Sequence, residues 1–323
     1  MSTERIFTFI GVTTQKSAIM RIFPAWAEHL GLGDVRMAGC DLALHAPPER
    51  YREAVEVVRS GPLELGALVT THKIDLFSAC RDMFDYIDPY AELCGEVSSL
   101  SKRDGQLRAH AKDPISSGRA LDEFIEPGYW ASAFAGAGEP PEVLLFGAGG
   151  SNLAITLYLM TGRPAPDRPP RIVVVNRSPA RLESMRALHE KIRELHGQPG
   201  EQVKVEYVHN ADPVDNDRLM ADMPPGSLVV NGTGMGKDSP GSPITDQGVF
   251  PEGARVWELN YRGELDFLVQ ARRQRAGRAL FIEDGWRYFV HGWTCVMEEV
   301  FATPMTPEVV GELSRIALGL RGT

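Results

Sequence analysis

Short apolar runs alternate with amphipathic segments along most of the chain. Such runs, bounded by small or polar residues, are typical of strands that a parallel sheet buries on both faces. They predict strands over 6–10, 66–69, 143–146, 172–175, 227–230 and 255–259. Between them, apolar residues recur at helical spacing, as over 19–30, 51–58 and 179–195. The alternation predicts an α/β fold.

The segment after the strand at 66–69 has a weaker pattern. We predict a helix that begins at Asp82 and breaks at Pro89, because proline interrupts a helix interior. A hairpin is predicted over 96–107, with its turn at Arg103, Asp104 and Gly105. Near the end of the chain, 286–301 has the spacing of a helix but few later residues on which to pack. We expect that helix to return to the first part of the fold.

A glycine-rich turn follows the strand predicted at 143–146 and precedes a segment of helical spacing. Backbone without side chains lets a dinucleotide pyrophosphate approach, and the N–H groups at a helix start attract phosphate. The sixth position of the G-x-G-x-x-G pattern holds Asn152 instead of glycine. A turn without a ligand is therefore the alternative to a cofactor site. The residues predicted to bind the cofactor here are Gly147, Ala148, Gly149, Gly150 and Ser151.

The next predicted strand, 172–175, ends in Asn176, Arg177 and Ser178. Dinucleotide folds that prefer NAD place a carboxylate at this point, against the ribose 2′-hydroxyl. A carboxylate would repel a 2′-phosphate, whereas a guanidinium binds one with charge-assisted hydrogen bonds. We predict NADP(H) as the cofactor, held by these three residues. Arg181 is either a second cation for the phosphate or a solvated helix residue.

Two other strand ends carry candidate site residues. The strand at 227–230 runs into small residues that leave room for the flat nicotinamide, and a flexible loop is the alternative. The cofactor contacts predicted there are Asn231, Gly232, Thr233 and Met235. Lys73 follows the strand at 66–69, where ligands of α/β sheets collect, although a solvated lysine is a common alternative.

Composition restricts the possibilities further. The formal net charge of −9 argues against a nucleic-acid partner. No apolar run approaches the ~18 residues of a membrane span, and no leader segment precedes the first strand. We therefore expect a cytoplasmic protein, either a monomer or a homodimer. The four cysteines lack C-x-x-C spacing, so we predict neither a metal site nor disulfides.

The chain of 323 residues is long enough for two domains with separate cores. We predict an N-terminal substrate domain over 1–117, completed by 286–323. The glycine turn and the strands around it predict a Rossmann-type NADP-binding domain over 118–285.

Taken together, the motifs resemble those of the shikimate and quinate dehydrogenase family, in order and over nearly the whole chain. The matching residues are His72 and Lys73, Asp113, the turn 147–151, Asn176-Arg177-Ser178 with Arg181, Asn231-Gly232-Thr233, and Tyr261. The resemblance implies that Lys73 and Asp113 are catalytic and flank the hydroxyl that is oxidised. A lysine oriented by an aspartate is a suitable base for removing the proton of a secondary alcohol.

The polar residues with which that family holds shikimate are only partly present. The resemblance places Ser17 at a family serine, but Ile19, Ala67, Val69 and Gly292 at positions that are polar in the family. Each lost hydrogen bond costs about 1–3 kcal/mol when its partner stays buried. We therefore expect a compact hydroxylated substrate other than shikimate. The residues predicted to bind it are Ser17, Ser98, Ser99, Tyr261 and His291.

Two alternatives to this function stay open. The protein could be a true shikimate or quinate dehydrogenase, if the pocket tolerates the replacements. It could also be an NADP-binding protein without turnover. Retention of both Lys73 and Asp113 favours an enzyme.

Overall fold

A computed structural model of the chain describes residues 4–134, 138–196, 203–237 and 239–321. They divide into two compact units. The first unit runs up to Asp113 and resumes at Val290, and the second unit spans Pro114–Phe289. Each unit contains one six-stranded sheet. The predicted α/β architecture, with its last part returning to the first domain, is confirmed.

The first unit alternates strands and helices up to its fourth helix and then forms a hairpin. Its elements are β1 (Arg5–Gly11), α1 (Ile19–His29), β2 (Val35–Asp41), α2 (Pro48–Ser60), β3 (Glu64–Val69), α3 (Lys73–Cys80), β4 (Tyr86–Ile87), α4 (Pro89–Cys94), β5 (Ser99–Arg103) and β6 (Gln106–His110). The strand order is β2-β1-β3-β5-β6-β4. The hairpin turn has both Asp104 and Gly105 at positive φ, as a two-residue hairpin loop requires.

The directions of the strands bring several strand ends to one side of this sheet. β1 and β3 are parallel, whereas β5 is antiparallel to both β3 and β6. The C-terminal ends of β1, β3 and β6 therefore lie beside the N-terminal end of β5. We call this side the carboxyl edge of the first sheet. Ligands of open α/β sheets collect at such an edge.

The helix predicted to begin at Asp82 is wrong. The nearest helix, α3, begins at Lys73 and ends at Cys80; Asp82 lies in the 3-10 turn Arg81–Met83, which β4 follows. Burial of Leu76, Phe77 and Cys80 fixes α3. Pro89 begins α4 instead of breaking a helix, because a first-turn proline has no N–H to lose and Asp88 caps the helix by accepting from the amide of Ala91 at 2.6 Å.

The second unit has the strand order of a dinucleotide-binding fold. Its elements are α5 (Asp113–Asp122), which begins at the last residue of the preceding unit, α6 (Tyr129–Phe134), β7 (Val143–Phe146), α7 (Gly150–Leu157), β8 (Arg171–Asn176), α8 (Pro179–His196), β9 (Lys204–His209), α9 (Pro213–Ala221), β10 (Leu228–Asn231), β11 (Arg255–Glu258), α10 (Asp266–Gln274) and β12 (Phe281–Glu283). The parallel strands follow the order β12-β11-β10-β7-β8-β9. From β7 the chain adds β8 and β9 on one side and then β10, β11 and β12 on the other, so the strand order reverses between β7 and β10, which is where such sheets bind ligands.

Two C-terminal helices complete the first unit from Val290 onward, α11 (Trp286–Phe301) and α12 (Pro307–Gly319). Trp293 packs edge-on against Phe7 and Phe9, with ring centroids 6.4 and 4.9 Å away. The indole of Trp26 donates to the carbonyl oxygen of Leu313 at 2.8 Å. The hydrophobic strand β1 therefore depends on residues almost 300 positions later for its cover. The sequence analysis did not predict α12, although Thr306 and Pro307 form a typical helix start.

None of the described helices is both long and apolar enough to cross a membrane. The four cysteines are free thiols, of which Cys80 and Cys295 are buried and Cys40 and Cys94 are partly buried.

Candidate functional site

Lys73 and Asp113 form an ion pair at the carboxyl edge of the first sheet. Lys73 is the first residue of α3, which follows β3, and Asp113 is the first residue of α5, which follows β6. The ammonium of Lys73 donates to the carboxylate of Asp113. Their side chains keep 22% and 15% of their surface exposed, so the pair is shielded but still accessible. Shielding from water strengthens the attraction between the two charges.

The backbone before Lys73 has an unusual conformation. Thr71 has φ of +62°, which is rare for a β-branched residue and costs of order 1–3 kcal/mol. The amide of His72 donates to the carbonyl oxygen of Thr70 at 2.6 Å, and the amide of Val97 donates to that of Lys73 at 3.1 Å. Such strain is retained where the surrounding structure holds it, and it clusters at functional sites. The start of α3, and with it Lys73, is therefore fixed in place.

Ser98 and Ser99 lie at the start of β5, on the same edge as the ion pair. Ser98 is engaged with the backbone, since its hydroxyl accepts from the amide of Lys112 at 2.7 Å. Ser99 is completely buried, and its hydroxyl has no hydrogen-bond partner among the described residues. Of the two predicted substrate contacts, Ser99 thus has the hydroxyl with unused hydrogen-bonding capacity.

Ser17 also lies at this edge, immediately after the 3-10 turn Thr14–Lys16 that follows β1. The carboxylate of Asp41 holds the turn by accepting from the amide and the hydroxyl of Thr14 at 2.8 and 2.6 Å. His291 is a buried residue of α11 in the same unit. Tyr261 belongs to the second unit, where its ring packs against Phe289 with centroids 4.8 Å apart. Four of the five predicted substrate contacts therefore belong to the first unit.

Three of the apolar replacements in the predicted pocket are buried. Ile19 and Ala67 have no exposed surface, and Val69 has 1%. Ala67 and Val69 are part of the apolar core of the first unit. A polar side chain at these two positions would therefore have mainly apolar neighbours.

Glu96, which the sequence analysis did not identify, lies close to the ion pair. It precedes β5 and is only 7% exposed. Burial raises the pKa of its carboxyl to about 7; the negative charge of Asp113 raises it as well, while Lys73 lowers it. The site thus contains a third ionisable group, which nothing in the local sequence pattern indicated.

The glycine-rich turn of the second unit has the shape that a pyrophosphate needs. Gly147 has φ of +103°, and a Cβ there would lie 2.8 Å from the carbonyl oxygen of Gly232. Gly149 is the N-cap of α7, and no side chain caps this helix. A Cβ built on Gly149 would meet no atom within 4 Å. The turn therefore leaves open space beside uncapped N–H groups, and this fits a bound phosphate.

Asn152, which occupies the position of the third glycine in the usual pattern, holds this turn together. Its amide donates to the carbonyl oxygens of Phe146 and Gly147 at 2.9 and 2.7 Å. A Cβ on Gly232 would lie 2.5 Å from its side-chain oxygen. The loop after β10 can approach the turn so closely because Gly232 lacks a side chain. The departure from the G-x-G-x-x-G pattern is therefore compatible with the turn.

The residues predicted to select the cofactor lie at the end of β8. The side-chain oxygen of Asn176 accepts from the amide of Arg177 at 3.0 Å, and the hydroxyl of Ser178 accepts from the amide of Arg181 at 3.4 Å. Both arginines are exposed, one before α8 and one in its first turn. Their guanidinium groups are therefore accessible to an anionic ligand.

A buried carboxylate organises the loop after β10. Glu258 accepts from the amide nitrogen of the Asn231 side chain at 2.6 Å, and from the backbone and side chain of Asn260 at 2.8 and 2.7 Å. The side-chain oxygen of Asn231 accepts in turn from the hydroxyl of Thr233 at 2.7 Å. The hydroxyl of Thr233 accepts from the amide of Met235 at 3.1 Å. Glu258 therefore fixes the loop that carries the four predicted nicotinamide contacts, which are Asn231, Gly232, Thr233 and Met235.

Comparison with known proteins agrees with the motifs. No family model matches the chain. The sequence is 27% identical over 261 residues to the shikimate dehydrogenase (NADP⁺) of Symbiobacterium thermophilum, covering 80% of this chain and 78% of that protein. The fold is similar to quinate dehydrogenase from Corynebacterium glutamicum, with a TM-score of 0.72, 17% identity and coverage of 98% and 99%.

A third similar protein has a different substrate in its name. The 5-ketofructose reductase of a Gluconobacter strain has a TM-score of 0.68 and 18% identity, with 97% of this chain and 98% of that one covered. The resemblance to the shikimate and quinate dehydrogenase family is thus confirmed, in sequence over most of the chain and in fold over nearly all of it.

Proposed function

We propose that this protein is an NADP-dependent oxidoreductase that transfers hydride between NADP(H) and a hydroxyl or carbonyl group of a compact polar substrate. The observation that carries the proposal is the Lys73–Asp113 ion pair at the carboxyl edge of the first sheet. An alcohol that loses hydride must also lose its O–H proton, and a carbonyl that gains hydride must gain one. Lys73 would exchange this proton, and Asp113 would hold the lysine in place.

The second unit supplies the groups for the cofactor. The turn 147–151 offers open space and uncapped N–H groups for the pyrophosphate, and Arg177 offers a cation for the 2′-phosphate. The absence of a carboxylate directly after β8 favours NADP over NAD. When bound, NADPH supplies the hydride. The shikimate dehydrogenase of Symbiobacterium thermophilum is likewise named as NADP⁺-dependent.

The substrate we propose is a cyclic hydroxy acid or a similarly compact polyol or ketone, other than shikimate itself. Ser17, Ser98, Ser99, Tyr261 and His291 are its proposed contacts. Apolar residues at positions 19, 67 and 69 support a different ligand, because they cannot replace the hydrogen bonds of a polar ring. The fold is compatible with this choice, since a 5-ketofructose reductase shares it.

Oxidation of shikimate or quinate is the second candidate function, and the names of the sequence relatives favour shikimate. A protein that binds NADPH without turnover is the third. A panel of shikimate, quinate, cyclitols and hydroxy acids with NADP⁺, and of ketones with NADPH, separates the three. The measurement is the absorbance of reduced nicotinamide, with NADPH fluorescence as the binding assay.

We expect turnover with at least one panel member, and kcat/KM for shikimate at least ~100-fold below the best value, which corresponds to about 2.7 kcal/mol of lost transition-state binding. Efficient oxidation of shikimate would support the second candidate. NADPH binding with no turnover across the panel would support the third.

Lys73→Ala tests the role of the ion pair. It should lower kcat by roughly 10²–10⁴-fold. The Kd for NADPH should change little, because the residues proposed to bind NADPH belong to the second unit and Lys73 belongs to the first. Asp113→Asn should also slow turnover, and the double variant should lose much less than the product of the two effects. Lys191→Ala, at an exposed position of α8, is the matched control. Normal turnover by Lys73→Ala would contradict the proposed mechanism.

A further inference from the structure

Glu96 is a buried ionisable residue of the first unit that the proposed mechanism has not used. It lies in the short connection between α4 and β5, and its amide donates to the carbonyl oxygen of Ala91 at 3.3 Å. The amide of the next residue, Val97, donates to the carbonyl oxygen of Lys73 at 3.1 Å. The residue that follows Glu96 is therefore hydrogen-bonded to the backbone of Lys73, which carries the ammonium of the ion pair.

The strand order explains why the three ionisable residues lie together. β5 lies between β3 and β6 and runs opposite to both. Glu96, three residues before β5, therefore lies on the same edge as Lys73 and Asp113, which come four residues after β3 and three residues after β6. Three chain segments that are distant in sequence thus contribute one ammonium and two carboxyl groups to the same edge.

The carboxyl of Glu96 is electrostatically coupled to both partners. Burial raises the pKa of Glu96 to about 7, the charge of Asp113 raises it further and the charge of Lys73 lowers it. Cys94, at the end of α4, is also coupled to Glu96. Burial raises the pKa of the Cys94 thiol to about 12, and the charge of Glu96 raises it as well, so the thiol stays neutral at ordinary pH. Among the described residues, Lys73 from α3, Asp113 from α5 and Cys94 from α4 are the titratable groups whose charges couple to that of Glu96. The charge of the site near neutral pH therefore changes through Glu96.

A purely structural role does not explain this arrangement. Burying a carboxyl group costs free energy, and placing it near a second carboxylate adds to the cost. Replacement of buried ion pairs by well-packed apolar residues of similar volume is often neutral or stabilising. Strongly shifted ionisable groups beside a proton-transfer pair are typical of functional sites.

We propose that Glu96 is a positioning residue for the proton-transfer pair, whose carboxylate holds Lys73 in its ammonium form and so prepares it to donate a proton to a carbonyl substrate. The proposal rests on the function proposed above and adds its direction, which is the reduction of a ketone. With Glu96 ionised, two carboxylates face the ammonium of Lys73, so the lysine stays protonated over a wider range of pH and is present as the proton donor when a ketone binds. The donated proton forms the O–H bond of the product alcohol while the carbonyl carbon receives hydride from NADPH.

The first test needs no substrate. Lysine side chains react with amine reagents only when deprotonated, so the extent of labelling of Lys73 as a function of pH, read by mass spectrometry of its peptide, reports its ionisation. Glu96→Gln keeps the shape and removes the charge. We expect the labelling midpoint of Lys73 to fall by about one pH unit, a roughly tenfold change in the ionisation equilibrium.

Two further variants make the result specific. Glu96→Asp keeps the carboxylate and should keep most of the wild-type midpoint. Glu56→Gln removes an exposed carboxylate on α2 of the same unit and should leave the midpoint unchanged. A circular dichroism spectrum and a cooperative melt for each variant confirm that it is folded. An unchanged midpoint in folded Glu96→Gln, or an equal fall in Glu56→Gln, would overturn the proposal.

The second test measures the pH profile of kcat for ketone reduction by the full chain with NADPH. Activity should decline at a lower pH in Glu96→Gln than in the wild type, by the same one unit or so as the labelling midpoint. A profile that does not move would overturn the proposal for catalysis. A shifted labelling midpoint with no turnover of any ketone or alcohol would instead count against the proposed function, and an enzyme active only in the oxidative direction would overturn the assigned direction.

Discussion

We propose that the choice between NADP and NAD depends most on a single residue, Arg177. It is exposed directly after β8, and its backbone is held by the side chain of Asn176. Because the guanidinium is accessible and the neighbouring residues are neutral, the site favours the additional phosphate of NADP.

Arg177→Asp should reverse this preference. Loss of a charge-assisted contact, worth about 1.5–3 kcal/mol, should weaken NADPH binding by roughly 10–100-fold, and the new carboxylate should improve the binding of NADH. Fluorescence titration with both cofactors measures the change. Arg272→Asp makes the same charge change at an exposed position of α10 and serves as the control. The prediction fails if the unaltered protein binds NADH more tightly than NADPH.

At the scale of elements, β10 and β11 cooperate to shape the loop that the sequence analysis assigned to the nicotinamide. Glu258 ends β11 and is fully buried beneath this loop. Burial raises the pKa of its carboxyl to about 7, although the hydrogen bonds from Asn260 and Asn231 lower that pKa. An ionisable group is thus buried at this position, where it accepts hydrogen bonds from three donors.

Glu258 should make the stability of the protein depend on pH. Its carboxyl is more easily protonated when folded than when unfolded, so its contribution to stability is complete below about pH 4.5 and is lost as the pH rises to about 7. The loss approaches ~1.4 kcal/mol per pH unit within this window. Glu258→Gln should remove that part of the pH dependence, as measured by denaturant unfolding at several pH values.

Glu252→Gln, at an exposed position of the same unit, should leave the pH dependence unchanged. An identical slope for wild type and Glu258→Gln between pH 5 and 7 would show that Glu258 does not titrate in this range.

At the scale of the whole molecule, the two units differ in how the chain builds them. The second unit is one continuous segment, Pro114–Phe289, whereas the first needs residues from both parts of the chain. In the first unit, Trp293 covers Phe7 and Phe9, and Glu299 accepts from the ammonium of Lys112 at 2.7 Å. Without its C-terminal part, this unit would expose large apolar side chains to water.

We therefore expect a fragment of residues 114–289 to fold alone and to bind NADPH with an affinity within about tenfold of that of the full chain, a difference of about 1.4 kcal/mol. A fragment of residues 1–113 should lack a cooperative melt and should aggregate. Circular dichroism, thermal unfolding and NADPH fluorescence test both fragments. A cooperative melt of 1–113, or a 114–289 fragment that is unfolded, would contradict this description of the two units.

The sequence by itself determined the features that depend on neighbouring residues. The apolar runs predicted β1, β3, β7 and β8, the glycines at 147 and 149 predicted the nucleotide turn, and Arg177 predicted the cofactor. These features are local, because a strand, a turn or a strand end places its own residues within a few positions of one another. The resemblance to a known family added Asp113, which no local pattern singled out.

Only the tertiary structure decided which distant residues meet. Lys73 and Asp113 are 40 positions apart and pair because β5 inserts in the antiparallel direction between β3 and β6. The same insertion places Glu96 beside them, and the pairing of β10 with β11 places Glu258 under the loop at Asn231. A buried carboxyl group looks the same in sequence as a solvated one. Its pKa and its role follow from burial and from neighbouring charges, which strand order sets and local sequence does not encode.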